Sequence, residues 1–122
     1  MGDREAIEAV ARDYLEGWLD SDADRLARSL HPDVRKRSVK DPAAGTLDLD
    51  ELEVAPWLDR VRARGPQAYS RDVEVRVLDV YDHMATVAVL SEPFMDYLHL
   101  ARFDGRWLIV NVLCEERRPP EG

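Results

Sequence analysis

Apolar residues in the first twenty positions recur three and four apart: Ile7, Val10, Ala11, Tyr14, Leu15, Trp18 and Leu19. That spacing puts all seven on one face of an amphipathic helix, with Asp3 as its N-cap and Glu5 in the first turn. Asp20-Ser21-Asp22 breaks the pattern and caps a second, short helix. Leu26 and Leu30 form its stripe, and His31-Pro32 ends it, because a residue before proline avoids the helical region. So short a connection predicts a helical hairpin. A polar, basic strand is expected over 34–40, followed by a turn at Asp41-Pro42-Ala43-Ala44-Gly45. Leu47, Leu49 and Leu52 then lead into a third helix, firm from Pro56 through Trp57, Leu58 and Val61 to a C-cap at Gly65. The pattern leaves open whether 50–54 belongs to that helix.

The second half changes period. Runs 73–81 and 84–91 are rich in β-branched residues and flank Asp82-His83, a two-residue hairpin loop. Runs 94–103 and 106–114 flank Asp104-Gly105, one of the strongest short-range hairpin signals. Residues 115–122, with Pro119-Pro120, read as a frayed tail.

Both faces of these strands are apolar. With Asp82-His83 as the turn, Leu78, Val80, Ala85, Val87 and Val89 share one face. Val75, Val77, Tyr81, Met84, Ala88 and Leu90 share the other. Three short helices cover only one side of such a sheet, so the outer face needs a partner, and a homodimer supplies one. A sheet curved enough to cover itself is the alternative.

Composition narrows the function classes. At 122 residues, 45% hydrophobic and 34% charged, the chain suits one α+β domain over 1–122. Seventeen basic against twenty-five acidic side chains give a net charge of −8, which argues against nucleic acid or anionic lipid as a general partner. No apolar run reaches the roughly 20 residues of a membrane span, and no signal-peptide core follows Met1, so a cytoplasmic protein is expected. One cysteine, Cys114, excludes an intrachain disulfide framework, and three scattered histidines show no metal-ligand spacing.

The order of helices and strands, together with specific segments, resembles the nuclear transport factor 2-like superfamily. The segments are Leu30-His31-Pro32-Asp33, Arg37-Ser38-Val39, Val77-Leu78-Asp79-Val80-Tyr81, Asp96-Tyr97-Leu98-His99-Leu100 and Asp104-Gly105-Arg106-Trp107-Leu108-Ile109-Val110-Asn111-Val112. Within it, the SnoaL-like or lumazine-binding branch is the nearer likeness. The resemblance implies a cone-shaped α+β fold, three helices from the N-terminal half packed on a curved, mostly antiparallel sheet. It also implies a pocket between helices and sheet, and an absence of metal or organic cofactor. Relatives of this fold include isomerases, dehydratases and polyketide cyclases, but also ligand carriers and assembly modules, so the site must decide.

Asp96 is the leading candidate for chemistry, because a carboxylate inside a strand is disfavoured and costly if buried. Counting back from Asp104-Gly105 pairs Leu98 with Asn111 and Asp96 with Leu113, which makes Asn111 a diagonal neighbour able to orient Asp96. In an apolar wall Asp96 would serve as a general base, unless it is solvated near the strand end or bonded to Asn111 to fix register. Tyr14 would steady an enolate oxygen, or simply pack in the core with Trp18 one turn away. Tyr97 and His99 share the face opposite Asp96, with Val110, Val112 and Cys114, and become the chemical pair if that face is the inner one. Trp18, Tyr97, Leu98 and Trp57 are the candidate ligand contacts. His31 is expected to cap the second helix, His83 to sit in a turn and Cys114 to pack as a small hydrophobe. The cluster Arg35-Lys36-Arg37 with Lys40 is either a solvated strand face or a guide for an anionic substrate. These features together predict an apolar-pocketed binder of a small carbonyl-bearing or aromatic molecule, with or without cofactor-free acid–base catalysis.

Overall fold

The computed structural model describes residues 2–40 and 47–117. The turn expected at 41–45 lies outside them.

Helix α1 spans Asp3–Leu19 and buries Ile7, Ala11, Tyr14, Leu15 and Leu19, the face its spacing foretells. Its N-cap is Gly2, not Asp3. Asp3 instead accepts hydrogen bonds from the Trp107 indole at 3.2 Å and from Arg102 at 3.3 Å, which ties the helix start to the sheet. Ser21, at φ +54°, turns the chain after α1, and Asp22 caps α2 (Ala23–Arg28) by accepting from the Arg25 amide at 3.1 Å. Helix α2 is therefore shorter than expected. Leu30, His31 and Pro32 open strand β1 (Leu30–Lys40), so His31 caps no helix. Its Nδ1 accepts from the Asp33 amide at 3.0 Å, and its ring packs on Phe103.

Strand β2 (Asp48–Leu52) pairs antiparallel with β1, where the leucine spacing had suggested the approach to a helix. Helix α3 then runs Val54–Ala63, with Arg64 rather than Gly65 as C-cap. Strands β3 (Glu74–Tyr81), β4 (Met84–Leu90), β5 (Phe94–Phe103) and β6 (Arg106–Glu116) complete an open sheet of order β2-β1-β6-β5-β4-β3. Only the β1–β6 pair is parallel among the described residues. Asp104 and Gly105 both adopt positive φ, as a tight hairpin turn requires. β6 continues to Glu116, two residues into the stretch expected to fray.

The helices cover one face of the sheet, and the core lies between them, with Ile7, Leu26, Val61, Val87, Leu98 and Ile109 fully buried. Two β-bulges decide which strand residues reach it. The first, between Val77 and Asp79, moves Val75 and Val77 to the inner face with Val80, Ala85, Val87 and Val89. Leu78 is thereby turned outward, the reverse of an unbroken alternation. The second, between His99 and Leu100, pairs His99 with Asn111, Leu98 with Val112 and Asp96 with Cys114. Val112 and Cys114 thus face the core beside Asp96, and Asn111 faces away.

Candidate functional site

Asp96 sits mid-sheet between Val89 of β4 and Cys114 of β6, its side chain only 2% exposed beneath the helices. Helix α1 delivers Tyr14 from above, and the phenol donates to Asp96 Oδ1 at 3.1 Å. Lys36 of β1 donates in turn to the Tyr14 oxygen. Lys36 faces inward because it alternates with Val34 and Ser38 on the buried side of β1. Its ammonium lies 5.0 Å from the Tyr14 ring centre and 4.8 Å from that of Trp57, which α3 brings across. Next to Asp96, Cys114 Sγ meets Ser38 Oγ at 3.1 Å.

These groups line a cavity of about 240 Å³ between α1, α3, β1, β2, β5 and β6. Trp18 and Phe94 wall its other side, edge to face at 5.4 Å, and the Arg64 guanidinium stacks on Trp18 at 4.6 Å. Lys40, Asp50 and Glu116 form the exposed part of the lining. The pocket is accordingly more polar than an aliphatic and aromatic wall alone would make it.

Burial governs the electrostatics. Loss of water pushes the Asp96 carboxyl up from its ordinary 3.8 to about 6, although the Lys36 charge and the Tyr14 hydrogen bond both pull it back. Burial, then the Asp96 charge, raises the Tyr14 phenol well above its ordinary value. Asp96 Oδ2 is buried with no hydrogen-bond partner among the described residues, an arrangement native interiors rarely leave without a purpose. A carboxyl that titrates near neutrality in the wall of a cavity can accept a proton from a bound molecule or return one.

Of the residues singled out by sequence, the structure brings Asp96, Tyr14, Trp18 and Trp57 to this cavity. Leu98 is fully buried in the core on the same face as Asp96, outside the cavity lining. Tyr97 and His99 point to the outer face, and the amide of Asn111 lies 3.2 Å from His99 Nδ1. Asn111 therefore cannot orient Asp96, because the bulge puts it on the wrong side of the sheet. Nor is Tyr14 free to meet a substrate oxygen while its proton serves Asp96. Lys36 was weighed only with its basic neighbours, as a solvated face or a guide for an anionic substrate, and not as the one of them that enters the cavity. Its signal was the period-two pattern Val34, Lys36, Ser38, which places it opposite its basic neighbours Arg35 and Arg37. No group of three His, Cys, Asp or Glu side chains able to hold a metal lies among the described residues.

Residues 2–113 match the family described as "Putative lumazine-binding". The chain belongs to that family. Its fold is the NTF2-like α+β fold, shared with an NTF2-like protein of unknown function from Methylobacillus flagellatus KT at TM-score 0.72 and 20% identity, covering 95% of this chain and 93% of that one. A second NTF2-like protein of unknown function, from Shewanella baltica OS155, gives TM-score 0.70 at 15% identity over 96% and 95% of the two chains. The association domain of C. elegans CaMKII is similar at TM-score 0.59 and 15% identity, covering 91% and 93%. No curated protein matches the chain. At these identities the structures establish the fold; the family's description is the one pointer to a small-molecule ligand. No helix among the described residues is long and apolar enough to cross a membrane.

Proposed function

We propose that this member of the lumazine-binding family binds a small carbonyl-bearing or aromatic molecule in the α1–α3–β1 cavity and moves a proton on it through Asp96. The unpartnered, buried Oδ2 of Asp96 carries the reading. As carboxylate, Asp96 takes a proton from carbon next to a carbonyl, and the electron pair moves onto the carbonyl oxygen. The Lys36 ammonium, rather than the Tyr14 phenol, is the donor placed to receive that oxyanion. Returning the proton from Asp96 to another carbon completes an isomerisation; delivering it instead to a β-hydroxyl as that C–O bond breaks releases water and completes a dehydration. Neither route needs a metal or organic cofactor. A free buried thiol at Cys114 suits the reducing cytoplasm expected for the chain.

The test is deuterium exchange, followed by NMR, on a panel of monocyclic carbonyl compounds in D2O. Exchange accelerated by the protein and lost in Asp96→Asn is expected. Binding without exchange would identify a ligand carrier.

A second reading, self-assembly, rests on the outer sheet face. Leu78, Tyr81, Met84 and Tyr97 stand 54%, 71%, 59% and 49% exposed there, beside a groove of about 410 Å³ that includes His99 and Val110. A second copy of the chain covers such a face most simply, and the similar CaMKII domain is named for association. Light scattering at twice the chain mass is expected, falling to one in Tyr81→Asp/Met84→Asp; a monomeric parent chain would remove this reading and leave the cavity untouched.

A further inference from the structure

Lys36 is the deepest of three cavity-lining cations, with Lys40 and Arg64 nearer the mouth, and the one beside Asp96. Lys36 forms no ion pair among the described residues, and its one hydrogen-bond partner there is the neutral Tyr14 hydroxyl. Its neighbours Arg35 and Arg37, by contrast, both reach Glu51 on the outside of β1. An ammonium has three donors, so Lys36 keeps two to offer. The faces of Tyr14 and Trp57 hold it in place and stabilise the charge without neutralising it.

Shape and size limit what comes to meet it. Trp18, Trp57 and Phe94 supply flat walls. At about 240 Å³ the space falls below the roughly 300–1,000 Å³ typical of pockets for drug-sized ligands. One six-membered ring with a short substituent suits it better than a fused polycycle. Towards the mouth, the charges of Lys40 and Arg64 are offset by those of Asp50 and Glu116, which leaves Lys36 and Asp96 to set the preference deep inside.

We infer that the ligand of this cavity is a small planar organic anion, a carboxylate on a single aromatic or conjugated ring, whose charged group docks on Lys36 while its ring lies among Trp18, Trp57 and Phe94. The inference rests on the small-molecule reading above and names its substrate class. Lys36 is then the specificity-determining contact, selecting for charge, and Asp96 is the proton-transfer group beside it. An ionised Asp96 opposes a second anion in the same cavity, so its charge weakens binding of the ligand that its carboxylate form acts on.

Benzoate and its neutral isostere benzamide separate the contributions, with binding followed by indole NMR shifts of Trp18 and Trp57 in the full chain. Benzoate is expected to bind at least about tenfold more tightly than benzamide, the worth of a hydrogen-bonded charge. Lys36→Met should remove that advantage and leave benzamide unaffected, and Lys36→Arg should retain part of it. Asp96→Asn should tighten benzoate alone. Equal binding of the two probes, or benzoate binding indifferent to Lys36→Met, would overturn the anion assignment while leaving a small-molecule cavity in place. Absence of indole shifts with either probe, in a chain that gives a folded spectrum, would overturn the anion assignment and the small-molecule reading together.

Discussion

The Tyr14 hydroxyl and Asp96 Oδ1, 82 positions apart in sequence, lie 3.1 Å apart in a site from which water is largely excluded. Tyr14 satisfies one carboxylate oxygen and leaves the other bare. The pair thus poises Asp96 rather than neutralising it, since the hydrogen bond favours the ion and burial opposes it.

A carboxyl that titrates near 6 instead of 3.8 has a stability signature. Between those values the folded chain keeps a proton that the unfolded chain has lost, so stability falls as pH rises through the window and levels off above about 6. The contribution missing at neutral pH is about 3 kcal/mol. Asp96→Asn, which keeps an acceptor for Tyr14, should flatten this slope and raise the melting temperature at pH 7.5 while abolishing proton transfer. Urea melts from pH 4 to 8 check it; an Asp96→Asn protein less stable than the parent at pH 7.5 would mean that the carboxylate is structural.

Lys36 and Tyr14 both hold the Asp96 titration down. Lys36→Met and Tyr14→Phe should therefore each move it above 6, as read from the carbon-13 carboxyl resonance of Asp96. A downward move in either variant would contradict the geometry.

Asn111 offers the matching control. Because it meets His99 on the outer face, Asn111→Ala should leave both the Asp96 titration and any deuterium exchange unchanged. An effect on either would mean that β6 lacks its bulge in solution.

Gly17 tests the seat of α2 against α1. Alanine normally favours a helix interior by about 1 kcal/mol over glycine. Here a Cβ at residue 17 would come within 2.9 Å of the Leu26 backbone nitrogen, a contact that backbone cannot easily relieve. Gly17→Ala should thus destabilise by about 1–3 kcal/mol in a denaturant melt.

Much of this architecture is legible in the residues. The spacing from Ile7 to Leu19 identifies α1 and its buried face, and Asp104-Gly105 fixes both ends of the β5–β6 hairpin. Asp96 declares itself as a charge interrupting an apolar strand. The bulges do not, because one extra residue leaves no mark in composition, yet each inverts the face of everything beyond it. That is why Asn111 was matched to Asp96, and Val75 was grouped with Tyr81 and Met84 and not with Val80. Strand β2 was hidden because Leu47, Leu49 and Leu52 suit a strand as readily as the approach to a helix. Lys36 was merged with its neighbours, two arginines that pair with Glu51 on the outside of β1 while it enters the cavity.

β6 lies between β1 and β5. Until Arg106–Glu116 docks, the sheet is two separate ribbons, β2–β1 and β5–β4–β3, and Lys36 has nothing to hold it near Asp96. Its pairing of Lys36 with Val112 closes a loop of well over half the chain, a non-local contact of the kind that slows folding. The ionisable centre draws on α1, β1, β5 and β6 at once, so it comes into being with the completed sheet. A fragment ending before β6 would carry Tyr14, Lys36 and Asp96 and still have no proton-handling site.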